Sequence, residues 1–277
     1  MSAVVAVHRD LPGGLSLSYQ SDTVSRLPIV AVETTWGSAS LPTVSLTATL
    51  KINGTTHSSV VLSHTGIQQG SALRIVLQAT TALPTGRYDA QIEVVAPVSG
   101  VNQVQTLSQT ITVEDRSSSP FGQGWSLSEL ERIVPQTGGN LLVSGTGVRE
   151  WFDSSGMAMP GMMSNSALVQ QANMTWRLNL PDGGFRTYDT TGRITSKVDG
   201  YGNTISFVWN STSGLLTSVT DAVGRATTLT YSNGRLSRVT DAAGRFVDLT
   251  HDATGRLLTI TDPVATQPGT GTTPLMT

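Results

Sequence analysis

The chain of 277 residues is longer than one average domain and can bury one large β domain or two smaller ones. Its formal net charge of −2, with 13% charged residues, supplies neither the basic surface that tracks phosphates nor the acidic excess of a disordered tail, so nucleic acid is not an expected partner. The absence of cysteine excludes disulfides, thiolate zinc sites and a cysteine nucleophile, and no stretch approaches the roughly 18 apolar residues of a membrane span, so no membrane insertion is expected.

Ser and Thr make up about a quarter of the chain and Gly numbers 28, which suits short strands and many turns. The expected fold class is all-β: a β-sandwich followed by a curled antiparallel sheet of hairpins. Residues 1–14 form a leading segment whose apolar run, Ala3 to Val7, precedes His8, Arg9 and Asp10. It lacks the basic start and cleavage site of a signal peptide, so either the protein stays inside the cell or the chain is a fragment of a longer secreted one.

Over 15–114 the apolar residues alternate: Leu15, Leu17, Tyr19; Val44, Leu46, Ala48, Leu50, Ile52; Leu73, Ile75, Leu77; Tyr88, Ala90, Ile92, Val94; Leu107, Ile111, Val113. Period 2 places each set on one face of a strand and predicts two packed sheets of about seven strands. Turn signals at Asn53-Gly54, Pro84-Thr85-Gly86 and Ser99-Gly100 separate them. The stretch from Leu83 to Tyr88 resembles the approach to a late strand in fibronectin-like and immunoglobulin-like domains. Residues 115–120, Asp-Arg-Ser-Ser-Ser-Pro, read as a linker. Residues 121–182, opening on Phe121, Gly122, Gln123, Gly124 and Trp125, read as hairpins leading into the next element.

A repeat occupies 183–262. Aligned on an internal glycine, its units begin at Tyr188-Asp189, Trp209-Asn210, Tyr231-Ser232 and His251-Asp252. The glycines Gly192, Gly214, Gly234 and Gly255 recur at intervals of 22, 20 and 21 residues. Arg193, Arg235 and Arg256 follow three of them, and a second signature runs in phase: Asp199 to Asn203, Asp221-Ala222-Val223-Gly224-Arg225, Asp241-Ala242-Ala243-Gly244-Arg245, ending at Asp262. Two turns per period make each unit a pair of short strands that must stack on its neighbours to bury a face. A tail over 263–277, rich in Thr, Gly and Pro, is expected to be disordered.

These motifs resemble the YD repeats of the Rhs family and of teneurins, with their Tyr-Asp step, Gly-Arg turn and Asp-x-x-Gly-Arg turn. The segment Ser119 to Trp125 also resembles the lead-in before the repeats of long Rhs-like proteins. The resemblance implies a non-enzymatic structural or interaction module of a cell-surface or secreted protein. About four units, of which only the first keeps Tyr-Asp, imply a piece of such a wall, including a wall fragment of a toxin-encapsulating shell, and not a closed capsule.

No cofactor, metal ligand or catalytic residue is expected. The histidines lack metal-site spacing, and the aspartates Asp182, Asp189, Asp199, Asp221, Asp241 and Asp262 recur where tight turns need them. The Gly-Arg arginines are read as partners of those aspartates or as an anion-binding stripe. Trp125, Trp151, Trp176, Trp209 and Tyr201 either fill the core or form a sugar-stacking platform, which makes a glycan the leading ligand. Lys51 is a candidate for an isopeptide crosslink. A repeat sheet this short leaves open edges, so self-association is the other partner expectation.

Overall fold

A computed structural model describes residues 6–24, 27–38, 40–159 and 165–262, so the tail at 263–277 lies outside the described residues. The described residues are all-β and divide into two compact units: Met1–Val24 with Arg116–Thr277, and Ser25–Asp115. The second unit is an insertion in the chain path of the first.

The first unit begins with β1 (Ala6–Asp10) and β2 (Ser16–Gln20), an antiparallel pair. The chain then forms the inserted unit from β3 (Ile29–Thr35), β4 (Leu41–Ile52), β5 (Thr55–Ile67), β6 (Ala72–Gln78), β7 (Gly86–Val98) and β8 (Val101–Val113). These make a four-stranded sheet, β5-β4-β7-β8, and a pair, β3-β6, all antiparallel. Alternate residues of both sheets meet in one core: Leu46, Ala48, Leu50 and Ile52 of β4, Leu73, Ile75 and Leu77 of β6, and Ala90, Ile92 and Val94 of β7. The β4–β5 hairpin turns on Asn53 and Gly54, both at positive φ (46° and 79°), the backbone that a two-residue primed turn requires. Before β7, the Tyr88 hydroxyl donates to the Pro84 carbonyl at 2.8 Å. Lys51 is ion-paired with Glu93 across β4 and β7 at 2.9 Å.

Among the described residues the inserted unit has six strands, against the expected total of about seven. The strand carrying Leu15, Leu17 and Tyr19, expected to open the sandwich, belongs to the other unit, where β2 pairs with β9 (Trp125–Leu127) as well as β1. Alternation shows that a strand has one buried face but not which core it faces. The linker expected at 115–120 is likewise structured: Arg116 is buried, its backbone N–H donates to the Thr23 carbonyl (2.9 Å), and its guanidinium donates to the carbonyls of Ser144 and Gly145.

After β9 come β10 (Glu131–Gln136), β11 (Gly139–Ser144) and β12 (Arg149–Asp153), a three-stranded meander. Ten further strands follow: β13 (Ala167–Gln170), β14 (Trp176–Asn179), β15 (Phe185–Tyr188), β16 (Ile194–Val198), β17 (Thr204–Trp209), β18 (Leu216–Thr220), β19 (Ala226–Ser232), β20 (Arg235–Thr240), β21 (Phe246–His251) and β22 (Leu257–Thr261). They form one antiparallel sheet in chain order. The sheet begins before the repeat boundary at 183. Its inward face, with Tyr188, Ile194, Phe207, Leu216, Val219, Leu229, Leu236, Val239, Val247, Leu249, Leu257 and Ile260, packs into one core with Leu11, Leu15, Leu17, Phe121, Trp125 and Leu127. The outward face is largely Ser, Thr and charged residues, as period 2 requires of a sheet buried on one side.

Candidate functional site

The repeated chemistry lies in the turns. In the loop 189–193, the Asp189 N–H donates to the Arg193 carbonyl (2.9 Å) and the Gly192 N–H to the Asp189 carbonyl (3.0 Å). The Asp189 carboxylate closes the loop: Oδ1 accepts the N–H groups of Thr191 and Arg193, each at 2.9 Å, and Oδ2 accepts Arg193 Nε at 2.8 Å. Gly192, at φ 82°, supplies the left-handed residue that the loop needs. The same bonds recur at 221–225, 241–245 and 252–256, with Asn203 replacing arginine at 199–203.

Because these carboxylates accept several donors, they stay charged. The Arg225 backbone N–H, followed by its guanidinium, holds Asp221 below the usual carboxylate range. The Thr254 hydroxyl and the Arg256 N–H do the same for Asp252. A carboxylate held this way is a poor proton donor or acceptor near neutral pH.

The backbone loop extends upstream of the expected repeat. At 144–148, 153–157, 171–175 and 180–184, the first residue donates to the fifth and the fourth donates back to the first. Gly147, Gly156, Met174 and Gly183 hold the left-handed position. No letters of the Asp-x-x-Gly-Arg pattern are shared by all four, which is why the alignment missed them.

The loops form two rows, one along each edge of strand ends. One row comprises the loops at 189–193, 210–215, 232–235 and 252–256; the lead-in covers it. There the Ile133 N–H donates to the Gly192 carbonyl (2.8 Å), the Leu236 N–H to the Pro120 carbonyl (2.8 Å), Arg235 Nη1 to the Ser119 carbonyl (2.6 Å), and Gln123 to the carbonyls of Gly255 and Thr254. Phe121 and Trp125 are buried beneath this segment, Trp125 against Tyr19 with ring centroids 5.2 Å apart. Gly122 and Gly124, both at positive φ, lie where a Cβ would meet Leu257 and Tyr19. The other row, with the loops 180–184, 199–203, 221–225 and 241–245, has no such cover from the lead-in segment at 119–133 among the described bonds. Asp262 follows β22, where the next loop of that row would begin.

The expected aromatic column behaves unevenly. Tyr188 donates to Glu131 Oε2 at 2.8 Å, and Trp209 Nε1 to the Ile194 carbonyl at 2.7 Å. Among the described residues the Tyr231 hydroxyl and His251 Nε2 are buried without a partner. Burial pushes Tyr231 well above the ordinary tyrosine value and His251 below the ordinary histidine value. Sequence reasoning missed Glu131, a buried carboxylate that also accepts Arg186 Nη1 (2.7 Å) and Lys197 Nζ (3.0 Å). It ties β10 to β15 and β16. No signal in the sequence marks it, since nothing in Leu130-Glu131-Arg132 says which residue faces inward.

Each Gly-Arg arginine follows its own loop. Arg193, Arg225, Arg245 and Arg256 pair with the aspartate four residues earlier, so no ladder across loops forms through them. Trp125, Trp151 and Trp176 are buried, and Trp209 is half-buried, so the tryptophans fill core and do not form a stacking platform. Tyr201, 95% exposed, stands alone at a loop tip.

Residues 232–267 match the RHS Repeat family model. The chain carries an RHS repeat. No curated protein matches the chain. The RHS match takes in the loops 241–245 and 252–256 and strands β20 to β22, and the upstream loops that reproduce the same backbone bonds lie outside it.

Proposed function

We propose that the chain is a non-enzymatic structural and interaction module of a cell-surface or secreted RHS-repeat protein. One observation carries the reading: every complete Asp-x-x-Gly-Arg motif uses its carboxylate, its glycine and its arginine to close its own loop. That leaves the carboxylates without the free valence that acid–base or nucleophilic chemistry needs. Among the described residues there is no group of three or more His, Cys, Asp or Glu that could hold a metal, and no helix is long and apolar enough to cross a membrane. The inserted unit is read as an immunoglobulin- or fibronectin-like sandwich. Its 4+2 strand order and the Tyr88 hydroxyl bound back to Pro84 at the entry to β7 support that assignment.

Self-association is the interaction the sheet favours, because β22 ends the sheet order with no described strand beyond it, and an unpaired edge is a template for another copy. Light scattering at increasing protein concentration tests this. The expected result is concentration-dependent assembly that Leu258→Lys, which places a charge on the half-exposed outward face of that edge strand, reduces. A strict monomer at high concentration removes the interaction half of the reading, and turnover in a glycosidase and protease screen removes the non-enzymatic half.

A further inference from the structure

The uncovered row of loops contains a cavity of about 270 Å³, lined by Gly13, Asp221, Arg225, Thr227, Asp241 and Arg245 among others. Two neighbouring Asp-x-x-Gly-Arg loops form one side, and the Pro12–Gly14 turn of the N-terminal segment forms the other. Three features come together only here among the described loops.

First, its two guanidiniums keep donors. Arg225 gives Nε to Asp221 and Arg245 gives Nε and Nη2 to Asp241, while both side chains remain more than two-thirds exposed, at 73% and 72%. Arg256, 69% exposed, keeps donors in the same way but stands without a second such arginine in its row, since Arg193 lies over the Trp209 ring and Arg235 donates to Ser119. Second, Thr227 is buried, 4% exposed, yet its hydroxyl makes no hydrogen bond among the described residues. The residue is packed on its other sides but lines the cavity, so the hydroxyl itself is open to what fills the cleft. Third, the wall opposite is Gly13, whose Cβ would fall 1.9 Å from the Thr227 hydroxyl oxygen. Glycine lets the backbone close on the threonine while the hydroxyl keeps access to the cavity.

The remaining hydrogen-bonding capacity is mostly that of donors. Each aspartate already accepts two backbone N–H groups on Oδ1 and its arginine on Oδ2. The arginines retain Nη groups and Thr227 retains its hydroxyl proton. A guanidinium pair beside an unpaired hydroxyl matches an acceptor-only group, the carboxylate or the sulfate or phosphate ester of a small ligand. We propose that the cleft between the loops 221–225 and 241–245 is an oxyanion-binding site, with Arg225 and Arg245 as the charged donors and the Thr227 hydroxyl as the neutral one. This goes beyond the structural role of the repeat, because it uses the guanidinium nitrogens that loop closure leaves over.

Isothermal titration of the whole chain with glucuronate, with inorganic phosphate, and with glucose as the neutral control tests the site. The expected result is saturable binding of one or both oxyanions and none of glucose. Glucuronate without phosphate marks an acidic sugar as the source, and phosphate without glucuronate marks a phosphate group. The double variant Arg225→Gln, Arg245→Gln is expected to weaken binding at least about tenfold, the loss of one charge-assisted bond or more. Thr227→Val, which keeps the shape and removes the hydroxyl, is expected to weaken it about threefold or more. Thermal unfolding of each variant separates loss of the site from loss of the fold. No saturable binding of either oxyanion, equal binding of glucose, or binding unchanged in both folded variants overturns the proposal.

Discussion

Replacing Gly192 and Gly224 by alanine, one at a time, compares two glycines that occupy the same place in the same loop. Both have positive φ, 82° and 84°, so alanine at either pays the left-handed penalty of about 1–2 kcal/mol. Around Gly224 a Cβ would meet nothing within 4 Å, whereas at Gly192 it would fall 2.0 Å from the Ile133 carbonyl oxygen. That overlap forces Ile133 away and breaks the 2.8 Å bond from its N–H to the Gly192 carbonyl, adding about 1 kcal/mol for the bond and about 1–3 kcal/mol for the disturbed packing. Gly224→Ala is therefore expected to cost about 1–2 kcal/mol and Gly192→Ala about 3–6 kcal/mol. Urea unfolding followed by tryptophan fluorescence reads the difference, since the midpoint moves with stability when the slope is unchanged. Equal midpoints for the two variants would refute the docking of β10 against the loop 189–193.

Glu131→Gln is expected to destabilise by about 2–4 kcal/mol, because it leaves Arg186 and Lys197 facing a neutral amide in a partly buried place, while Tyr188→Phe costs about 1 kcal/mol. A double-mutant cycle with a coupling energy near zero would show that Tyr188 and Glu131 do not act together. For His251, the folded-state pKa lies below its ordinary value of 6.5, chiefly through burial, so the unfolded chain takes up the proton first. Its contribution is intact above pH 6.5 and lost as pH falls from there through the folded value, so stability declines on acidification below pH 6.5. His251→Phe is expected to flatten that part of the profile, and urea midpoints that fall in parallel for both proteins would contradict it. Replacing 25–115 by a short linker is expected to leave the repeat sheet folded, since Arg116 N–H already meets the Thr23 carbonyl and β2 already pairs with β9. Loss of cooperative unfolding in that deletion would show that the sheet depends on the insertion.

The sequence made the class and the repeat legible because both depend on local chemistry. Alternating apolar residues in β4, β6 and β7 report one buried face, and Asp with Gly and Arg at fixed spacing reports a loop that closes on itself. What stayed hidden depends on contacts between distant segments. Leu15 and Leu17 alternate as a sandwich strand would, yet their partners are Phe121, Trp125 and the repeat face. The polar run after Asp115 has a linker's composition, yet its carbonyls receive donors from the sheet. Thr227 shares the inward face with Leu229, yet the sequence does not show that the turn at Gly13 closes over it.

The two rows of loops show why one motif does not carry one constraint. In the covered row, Gly192 faces the Ile133 carbonyl, so both backbone conformation and lack of a side chain are required there, whereas Gly255 faces only the movable Arg235 guanidinium and Gly234 has open space. In the uncovered row, Gly202, Gly224 and Gly244 have open space, and only conformation is required. The loop tips differ in the same sense. Thr191 and Thr254 fold their hydroxyls back onto Asp189 and Asp252, whereas Tyr201 and Val223 project 95% and 74% exposed into solvent. A tip whose side chain is not needed to close its loop is free to meet a ligand or another chain. The row that closes the fold and the row that is available for recognition therefore alternate along the sequence, once each per repeat.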